Sequence, residues 1–363
     1  MRKVMMLLLV VIVMQGCIGI AGRGMTDMNN GSLDQSLLAN KDIIDMHVHV
    51  AGVGADGSGC HVSPKLRKNW RYKSYLKAFN LTEREMKLHG DRLVFQRLSE
   101  MLDQSRGVKA AVVLALDGVI DEAGELDLTQ TETYVPNDFV ASGITRYPNL
   151  LYGASVNPYR HDALQRLEQA KADGAVLIKW LPAIQQIDPS DQRIIPFYNK
   201  LVELKLVLLT HAGGERSFTT ASEHLGDPEL LRLPLSLGVK VVAAHAATTG
   251  KSDGEENMQR LLRMFPEYPN LYADISSLTQ INKLRYLPRL LQHDVHDRLI
   301  YGTDFPLINT PLVSPWHYPK SLSLRQMRRI AAVDSPWDRD LLIKAALGTP
   351  REVFYRWGEL LSD

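Results

Sequence analysis

The sequence predicts an α/β protein built as a (β/α)8 TIM barrel, and three observations support that fold class. Eight short runs of Val, Ile and Leu recur along the chain, and from the third run onward they start 25 to 34 residues apart, the length of one strand–helix unit. The runs are continuously apolar rather than alternating, as in parallel strands that are covered on both faces. The stretches between them have helical periodicity, and eight such units in one series favour a barrel over a doubly wound sheet.

The predicted strands and helices follow one another in a regular order. The strands span residues 43–50, 108–116, 150–156, 175–181, 206–211, 240–245, 271–275 and 299–301. Helices are predicted over 162–172 with Asp162 as the N-cap, from Pro196 onward, over 256–265, and as a closing pair within 335–361.

The gap between the first two strands is longer than one strand–helix unit requires. Residues 51–107 contain a Gly-rich loop, a basic aromatic stretch (KLRKNWRYKSY) and an amphipathic helix near 91–106. An insertion after strand 1 of a barrel lies over the mouth, where lids and specificity elements occur. The sequence therefore predicts a barrel with an insertion that covers its active end.

The N-terminus is predicted to direct export. Arg2 and Lys3 precede an apolar run over 4–14, which is too short to span a bilayer and fits the apolar region of a signal peptide. The run leads to Cys17 in a sequence that resembles a bacterial lipobox, although Met14 and Gln15 depart from that pattern. We expect a signal peptide over 1–17, a flexible tether over 18–40 and the barrel domain over 41–363, with the protein periplasmic and anchored by a lipid on Cys17. The alternatives are an ordinary signal peptide cleaved nearby and an uncleaved anchor.

The charge balance limits the classes of partner. Lys and Arg (42) nearly equal Asp and Glu (41), so the sequence predicts no nucleic-acid partner and no polybasic surface beyond the first residues. Contact with a membrane is expected only through the N-terminal lipid or signal segment. The expected partner is a small-molecule substrate, and the sequence leaves a homo-oligomer open.

The end of the first strand carries two histidines in the order His47-Val48-His49. Residues i and i+2 of a strand point to the same side, so both imidazoles are expected to project into the barrel lumen. Two imidazoles fixed on one strand form a rigid pair of ligands for Zn²⁺ or a similar metal. Two histidines on one strand face also occur without a metal, so the motif alone does not decide between these interpretations.

Three further polar residues end predicted strands. His211 ends strand 5, His245 ends strand 6 and Asp304 follows strand 8. The carboxyl ends of the strands are where barrel enzymes have their active sites. A buried structural role explains any one of these residues but explains the shared position of all of them poorly. The sequence therefore predicts a metal site at the barrel mouth.

The order of these residues resembles the amidohydrolase superfamily. The segments IDMHVH, LTHAG, AHAA and YGTDFP are most similar to its amidohydrolase-related branch, over roughly residues 42–360. That branch also includes decarboxylases and hydratases of unsaturated or aromatic carboxylic acids.

The resemblance also implies roles for the site residues. It implies that His47, His49 and Asp304 hold a first divalent metal, most simply zinc, and that His211 binds this metal or a second one. By the same resemblance His245 binds a second metal or polarises the substrate. Asp304 is expected to take a proton from a metal-activated water and pass it to the leaving group.

Lys179, inside the apolar fourth strand, needs an explanation because a buried ammonium is costly unless it is paired or neutral. The resemblance implies a carboxylated lysine that bridges two metals. A structural role and a charged partner for a substrate carboxylate or a neighbouring acid are the two alternatives. Trp180, the next residue, is expected in the substrate site. Arg216, after Gly213-Gly214, is expected to bind a substrate anion, or else to belong to a solvated loop.

These expectations lead to three functional hypotheses. The first is a metal-dependent hydrolase of amide, ester, lactone or related C–N and C–O bonds. The second is a one-metal decarboxylase or hydratase of an unsaturated or aromatic carboxylic acid on the same scaffold. The third, from another class, is a non-catalytic surface lipoprotein that binds a ligand. Two metals and a carboxylated Lys179 favour the first hypothesis, and one metal with His245 uncoordinated favours the second.

Overall fold

The eight barrel strands lie where the apolar runs predict them. The computed structural model describes residues 34–215 and 217–361. Its barrel strands are β1 (Ile43–His49), β2 (Val108–Leu114), β3 (Leu150–Ala154), β4 (Leu177–Trp180), β5 (Val207–His211), β6 (Val241–Ala244), β7 (Leu271–Asp274) and β8 (Leu299–Ile300). They form one parallel sheet in chain order from β1 to β8.

Backbone hydrogen bonds bring the two edges of this sheet together. The amide of Met46 in β1 donates to the carbonyl of Tyr301 just after β8 at 3.3 Å. Further along β1, the amide of Asp304 donates to the carbonyl of His47 at 2.9 Å, and the amide of His49 donates to the carbonyl of Phe305 at 2.9 Å. The eight parallel strands thus form a nearly closed barrel, which confirms the predicted fold class.

Helices occupy the connections between the strands and the segment after β8. They are α1 (Pro64–Lys68), α2 (Trp70–Ala78), α3 (Glu83–His89), α4 (Leu93–Asp103), α5 (Asn137–Ile144), α6 (Ala163–Ala172), α7 (Pro182–Gln185), α8 (Ile195–Glu203), α9 (Arg232–Ser236), α10 (Asn257–Met264), α11 (Tyr286–Leu290), α12 (Leu324–Ala331), α13 (Pro336–Ala346) and α14 (Trp357–Leu361). The helices predicted near 91–106, over 162–172, from Pro196 and over 256–265 are α4, α6, α8 and α10. No helix among the described residues is long and apolar enough to cross a membrane.

Strand side chains alternate between two apolar cores, and this alternation positions the site. In β4, Leu177 packs in the barrel lumen, whereas Ile178 and Trp180 pack in the larger core between strands and helices. Because alternate residues of a strand share a face, Lys179 points into the lumen with Leu177. Lys179 is fully buried there.

The insertion between β1 and β2 lies at the carboxyl end of the barrel, as predicted. Its helices α1 and α2 contribute Leu66 and Leu76 to the wall of a cavity that also contains the strand-end histidines. The side-chain amide of Asn309, in the connection after β8, donates to the carbonyl of Ala78 at 2.7 Å and fixes the end of α2.

Residues 34–40 correct the boundary of the predicted tether. Residues Gln35–Leu38 form a 3-10 helix, and Leu37 and Leu38 are buried in the core beside the start of β2. The folded domain therefore begins several residues before position 41. Two adjacent leucines in a polar segment have no helical or strand period, so the sequence did not reveal that they pack against the barrel.

Candidate metal centre

The two histidines of β1 point to the same place in the lumen. The Nε2 atoms of His47 and His49 lie 3.1 Å apart. The Oδ1 atom of Asp304 lies 3.4 Å from Nε2 of His49 and 3.7 Å from Nε2 of His47. His47 and His49 share one face at the end of β1, as predicted, and Asp304 follows β8 at the same end of the barrel. These three candidate ligands therefore meet at the mouth.

His245 completes this group from β6. Its Nε2 atom lies 3.9 Å from Oδ2 of Asp304, and His47, His245 and Asp304 each offer a ligand atom within 4.8 Å of the other two. Both His245 and Asp304 have positive φ angles, 56° and 63°. Such a backbone is uncommon outside glycine and occurs where a site requires a particular side-chain direction.

His211 lies at the edge of the group. Its ring centroid is 5.2 Å from that of His245, and its Nδ1 atom is 3.5 Å from Oε2 of Glu215. Its Nε2 atom is buried and has no hydrogen-bond partner among the described residues. Gly213 permits the turn that follows, because φ is +91° and a Cβ atom would lie 2.8 Å from the carbonyl oxygen of Ala247.

Asp274 at the end of β7 orients two of the histidines. Its Oδ2 atom accepts a hydrogen bond from Nδ1 of His47 at 2.8 Å. Its Oδ1 atom accepts from the backbone amide of His245 at 2.8 Å and from the hydroxyl of Ser276. The hydroxyl oxygen of Ser276 in turn accepts from Nδ1 of His245 at 2.7 Å. Since a carboxylate only accepts, the Nδ1 atoms carry the protons and both Nε2 lone pairs point into the site.

Asp45, one layer deeper in β1, joins the two edges of the barrel. Its carboxylate accepts hydrogen bonds from the amides of His47 and Thr303, both at 3.0 Å, and from the indole of Trp337 at 2.9 Å. Burial raises the pKa of Asp45 to about 7, although these donors oppose the increase. The network fixes the backbone of β1 next to His47 and the backbone after β8 next to Asp304.

The electrostatics of the centre keep its buried imidazoles neutral. Burial lowers the pKa of His47 and of His245 well below the usual range, and it lowers that of His211 to about 3. The second cause differs: Lys179 acts on His47 and His211, and Lys283 acts on His245. Neutral imidazoles with inward Nε2 lone pairs, one of them without a partner, are the donor set that a divalent metal requires.

Lys179 reaches the same group from β4. Its Nζ atom lies 3.0 Å from Nε2 of His47, so the side chain points toward the histidines as predicted. Burial lowers the pKa of Lys179 to about 8, while Asp274, Asp304 and Glu215 oppose this decrease. The contact is compatible with a carboxylated lysine and with a substrate partner, but it does not fit a purely structural residue outside the site.

The predicted substrate contact of Trp180 is wrong. Trp180 follows Lys179 in β4 and therefore faces the helices, where its indole N–H donates to the carbonyl of Val156 at 2.7 Å. Its ring packs against Phe197 and Tyr198 of α8. Arg216 and Cys17, for which anion binding and lipidation were predicted, lie outside the described residues.

The walls of the cavity contain functional candidates that the motifs did not reveal. Tyr75 of α2 is hydrogen-bonded to Ser217, and both line the cavity with Glu215 and Lys283. Apolar side chains cover the remaining wall: Val62, Leu66, Leu76, Phe79, Phe218 and Leu307. Asp274 stands inside a predicted strand and Glu215 in the Gly-Gly loop, so an acid at either position was a visible signal. Tyr75 and Lys283 gave none.

The chain matches one protein family over most of its length. Residues 44–355 match the amidohydrolase family. No curated protein sequence matches the chain.

Several solved structures are similar in fold. An uncharacterized TIM-barrel protein from Bordetella bronchiseptica is 17% identical, with a TM-score of 0.51 over 84% of this chain and 99% of the other. A probable 2-pyrone-4,6-dicarboxylic acid hydrolase from Acinetobacter baumannii is 15% identical over 86% and 99% of the chains, with a TM-score of 0.48. The 5-carboxyvanillate decarboxylase from Sphingomonas paucimobilis is 14% identical over 86% and 99%, with a TM-score of 0.45. The first of these supports the barrel fold.

Proposed function

The chain belongs to the amidohydrolase family, and we propose that it hydrolyses an amide, ester, lactone or related C–N or C–O bond of a small molecule. Membership of the family makes it a metal-dependent enzyme, a hydrolase or a lyase. That membership argues against the hypothesis of a non-catalytic lipoprotein. We assign the metal to His47, His49 and Asp304, with His245 and His211 as the ligands that complete one site or form a second, and zinc as the expected ion.

The observation that carries this proposal is the convergence of His47, His49, His245 and the carboxylate of Asp304 at the mouth, with His211 at the edge of this group. The Nε2 atoms of His47 and His49 are 3.1 Å apart, and Asp274 holds the proton of His47 on Nδ1, so the Nε2 lone pair of His47 points into the site toward His49 and Lys179. A buried lone pair of this kind requires a cation or a proton donor as its partner. The same applies to the partnerless Nε2 atom of His211.

The residues of the chain have separable roles in such a hydrolysis. A bound divalent metal polarises a carbonyl group and lowers the pKa of a water to about 7. The carboxylate of Asp304 lies in the cavity within 3.4 Å of His49, where it can hold the proton of that water and transfer it to the leaving group. The apolar wall from the insertion excludes bulk water and strengthens these charge interactions.

A second candidate is a one-metal decarboxylase or hydratase of a carboxylic acid. Lys179 and Lys283 favour it, because two cationic side chains line the same cavity. Ammonium groups in such a setting are suited to a carboxylate substrate. The two candidates share the scaffold, so they differ in what Lys179 does.

The deciding experiment is metal analysis of the purified protein combined with Lys179→Ala. For the hydrolase with a bridging lysine, the expected results are two zinc ions per chain, lower metal content in the variant and partial rescue by acetate or propionate. Hydrolysis of lactones, esters and N-acyl compounds is then expected from the native protein. One ion per chain, unchanged by Lys179→Ala, together with CO₂ release or hydration of unsaturated acids, supports the lyase. A chain that binds no divalent metal contradicts both.

We also propose that the enzyme works outside the cytoplasm, anchored by a lipid on Cys17. The proposal is based on the apolar run that ends at the lipobox-like segment. Cys17→Ser is expected to release the enzyme into the soluble periplasmic fraction, because a lipid anchor depends on its buried CH₂ groups. Unchanged membrane association of the variant would show that the apolar segment itself anchors the chain.

A further inference from the structure

Helices α1 and α2 of the insertion have two chemically different sides. Leu66, Tyr72 and Leu76 are buried and line the cavity. The opposite side is exposed to solvent, and we call it the basic face: Lys65, Lys68, Trp70, Lys73 and Lys77. The wall of the cavity and the basic face are thus opposite sides of the same two helices.

The basic face has a strong local charge in a nearly neutral protein. Residues 64–78 contain six Lys and Arg residues and no Asp or Glu, whereas the whole chain has a net charge of +1. Arg67 pairs with Glu83. Among the described residues, no carboxylate lies within ion-pair distance of Lys68, Lys73 or Lys77. The prediction of no polybasic surface beyond the first residues is therefore wrong for α1 and α2. The overall charge balance does not show how the charges are distributed along the chain.

Trp70 adds an apolar group to the centre of this charge. Its side chain is 66% exposed, the largest exposure of any tryptophan in the described residues, and the guanidinium of Arg71 lies 5.3 Å from its ring centroid. An exposed indole surrounded by lysines is costly in water but suits the headgroup region of a bilayer. Lysines there are attracted by anionic lipids.

We propose that the basic face docks the barrel mouth onto an anionic lipid membrane. A second feature at this end of the barrel supports a membrane over other polyanions. The connection after β8, which contacts α2 through Asn309, presents Trp316 with 49% exposure, and α12 begins with Leu324 at 52% exposure. Exposed apolar side chains in addition to a basic surface match a bilayer, whereas the phosphate backbone of a nucleic acid offers them no apolar partner.

The docked arrangement places the membrane against the outer side of the cavity wall. α2 presents Lys73 and Lys77 outward and Tyr72 and Leu76 inward. Contact with lipid therefore acts on the same helix that shapes the cavity.

The test measures whether lipid touches Trp70 in the full-length chain. Vesicles of phosphatidylcholine with and without phosphatidylglycerol carry bromine-labelled acyl chains, which quench tryptophans at short range. The difference in quenching between the native chain and Trp70→Phe isolates Trp70 from the other tryptophans. This readout does not depend on how the N-terminal segment itself associates with vesicles, since both proteins contain it.

We expect Trp70-dependent quenching on the anionic vesicles and its loss in 1 M salt, where charges are screened within about 3 Å. Lys73→Gln/Lys77→Gln should raise the lipid concentration for half-maximal quenching roughly 25-fold, about fivefold for each lysine. Lys109→Gln/Lys171→Gln is the matched control, because both lysines are exposed and lie at the opposite end of the barrel, near the start of β2 and the end of α6. The control should behave as the native chain does, and equal melting temperatures show that the fold is retained.

Two results would overturn the proposal. One is equal quenching of the native chain and Trp70→Phe on anionic vesicles. The other is a loss in the control variant as large as that in Lys73→Gln/Lys77→Gln. Binding of single-stranded DNA to the basic face without Trp70-dependent quenching would assign the surface to a nucleic acid instead.

Discussion

The strand ends of the barrel and the insertion after β1 line one cavity, but they hold their side chains in different ways. At the strand ends, parallel hydrogen bonding fixes the backbone, and buried acids such as Asp45 and Asp274 fix the ligands. In the insertion, short helices depend on local caps: Ser63 accepts from the amide of Leu66 and Asn69 from that of Arg71. The strand ends therefore hold the metal ligands in fixed positions. The insertion can change its side chains without disturbing the sheet.

This difference separates reaction from specificity. Ligands held by a closed sheet keep their relative positions when a loop changes. Short helices at the mouth can change the shape of the cavity without moving the metal ligands. We therefore expect substitutions at the strand ends to change metal binding or turnover and substitutions in the insertion to change the apparent affinity for substrate.

The largest effect is expected from Asp304→Asn. The amide cannot take a proton from water, so kcat should fall about 10³-fold, within the range for loss of a general base. Asp294→Asn, at an exposed position, is the control for a change of carboxylate to amide. Steady-state kinetics with metal analysis measures both. Turnover within a few fold of the native value in Asp304→Asn would remove Asp304 from the reaction.

The next effect in size is expected from Asp274→Asn. The amide has one accepting oxygen, so it cannot satisfy both His47 and the His245–Ser276 pair, and metal affinity should fall about 10- to 100-fold. Ser276→Ala removes only the contact to His245 and should cause a smaller loss. Competition with a chromophoric chelator gives the affinities. Native affinity in Asp274→Asn would show that the strand-end network does not orient the ligands.

A smaller effect that leaves the metal unaffected is expected from the insertion. Tyr75→Phe and Ser217→Ala each remove the same hydrogen bond in the cavity wall, so each should raise KM about two- to tenfold. The double variant should show no additional effect, because both substitutions remove one interaction. Metal content should equal that of the native enzyme. Metal loss in Tyr75→Phe would contradict the separation of the two regions.

The smallest effect on activity is expected from Trp180→Phe. The substitution leaves the carbonyl of Val156 without its indole donor, so the free energy of unfolding should fall by about 1–3 kcal/mol. The values of kcat and KM should remain native, since the ring faces α8. A changed KM in a fully folded variant would show that Trp180 influences the cavity after all.

The sequence was most informative where a single period determined the structure. Continuous apolar runs predicted all eight strands, and the i, i+2 rule placed His47 and His49 on one face. The same rule, applied to β4, places Lys179 in the lumen and Trp180 outside it, so the substrate role expected for Trp180 overlooked a signal that was present. Asp274 lies inside an apolar run, and the run by itself predicts a strand without distinguishing a functional acid within it.

Other features could not be predicted because they depend on contacts between distant segments. The hydrogen bond between Tyr75 and Ser217 joins the insertion to the connection after β5. Lys283 reaches the cavity from the connection after β7, and no local pattern places it near the imidazoles. The basic residues of α1 and α2 are evident in the sequence. Only the fold shows that the lysines of these helices face solvent and that their buried apolar residues face the cavity.

Anomalous diffraction at the zinc edge from zinc-loaded crystals would show whether the strand ends hold a divalent metal. A peak is expected at the barrel mouth about 2.0–2.2 Å from Nε2 of His47, Nε2 of His49 and the carboxylate of Asp304. The same peak should be absent from crystals of His47→Ala/His49→Ala. A zinc peak elsewhere on the chain, with none between these three residues, would contradict the account.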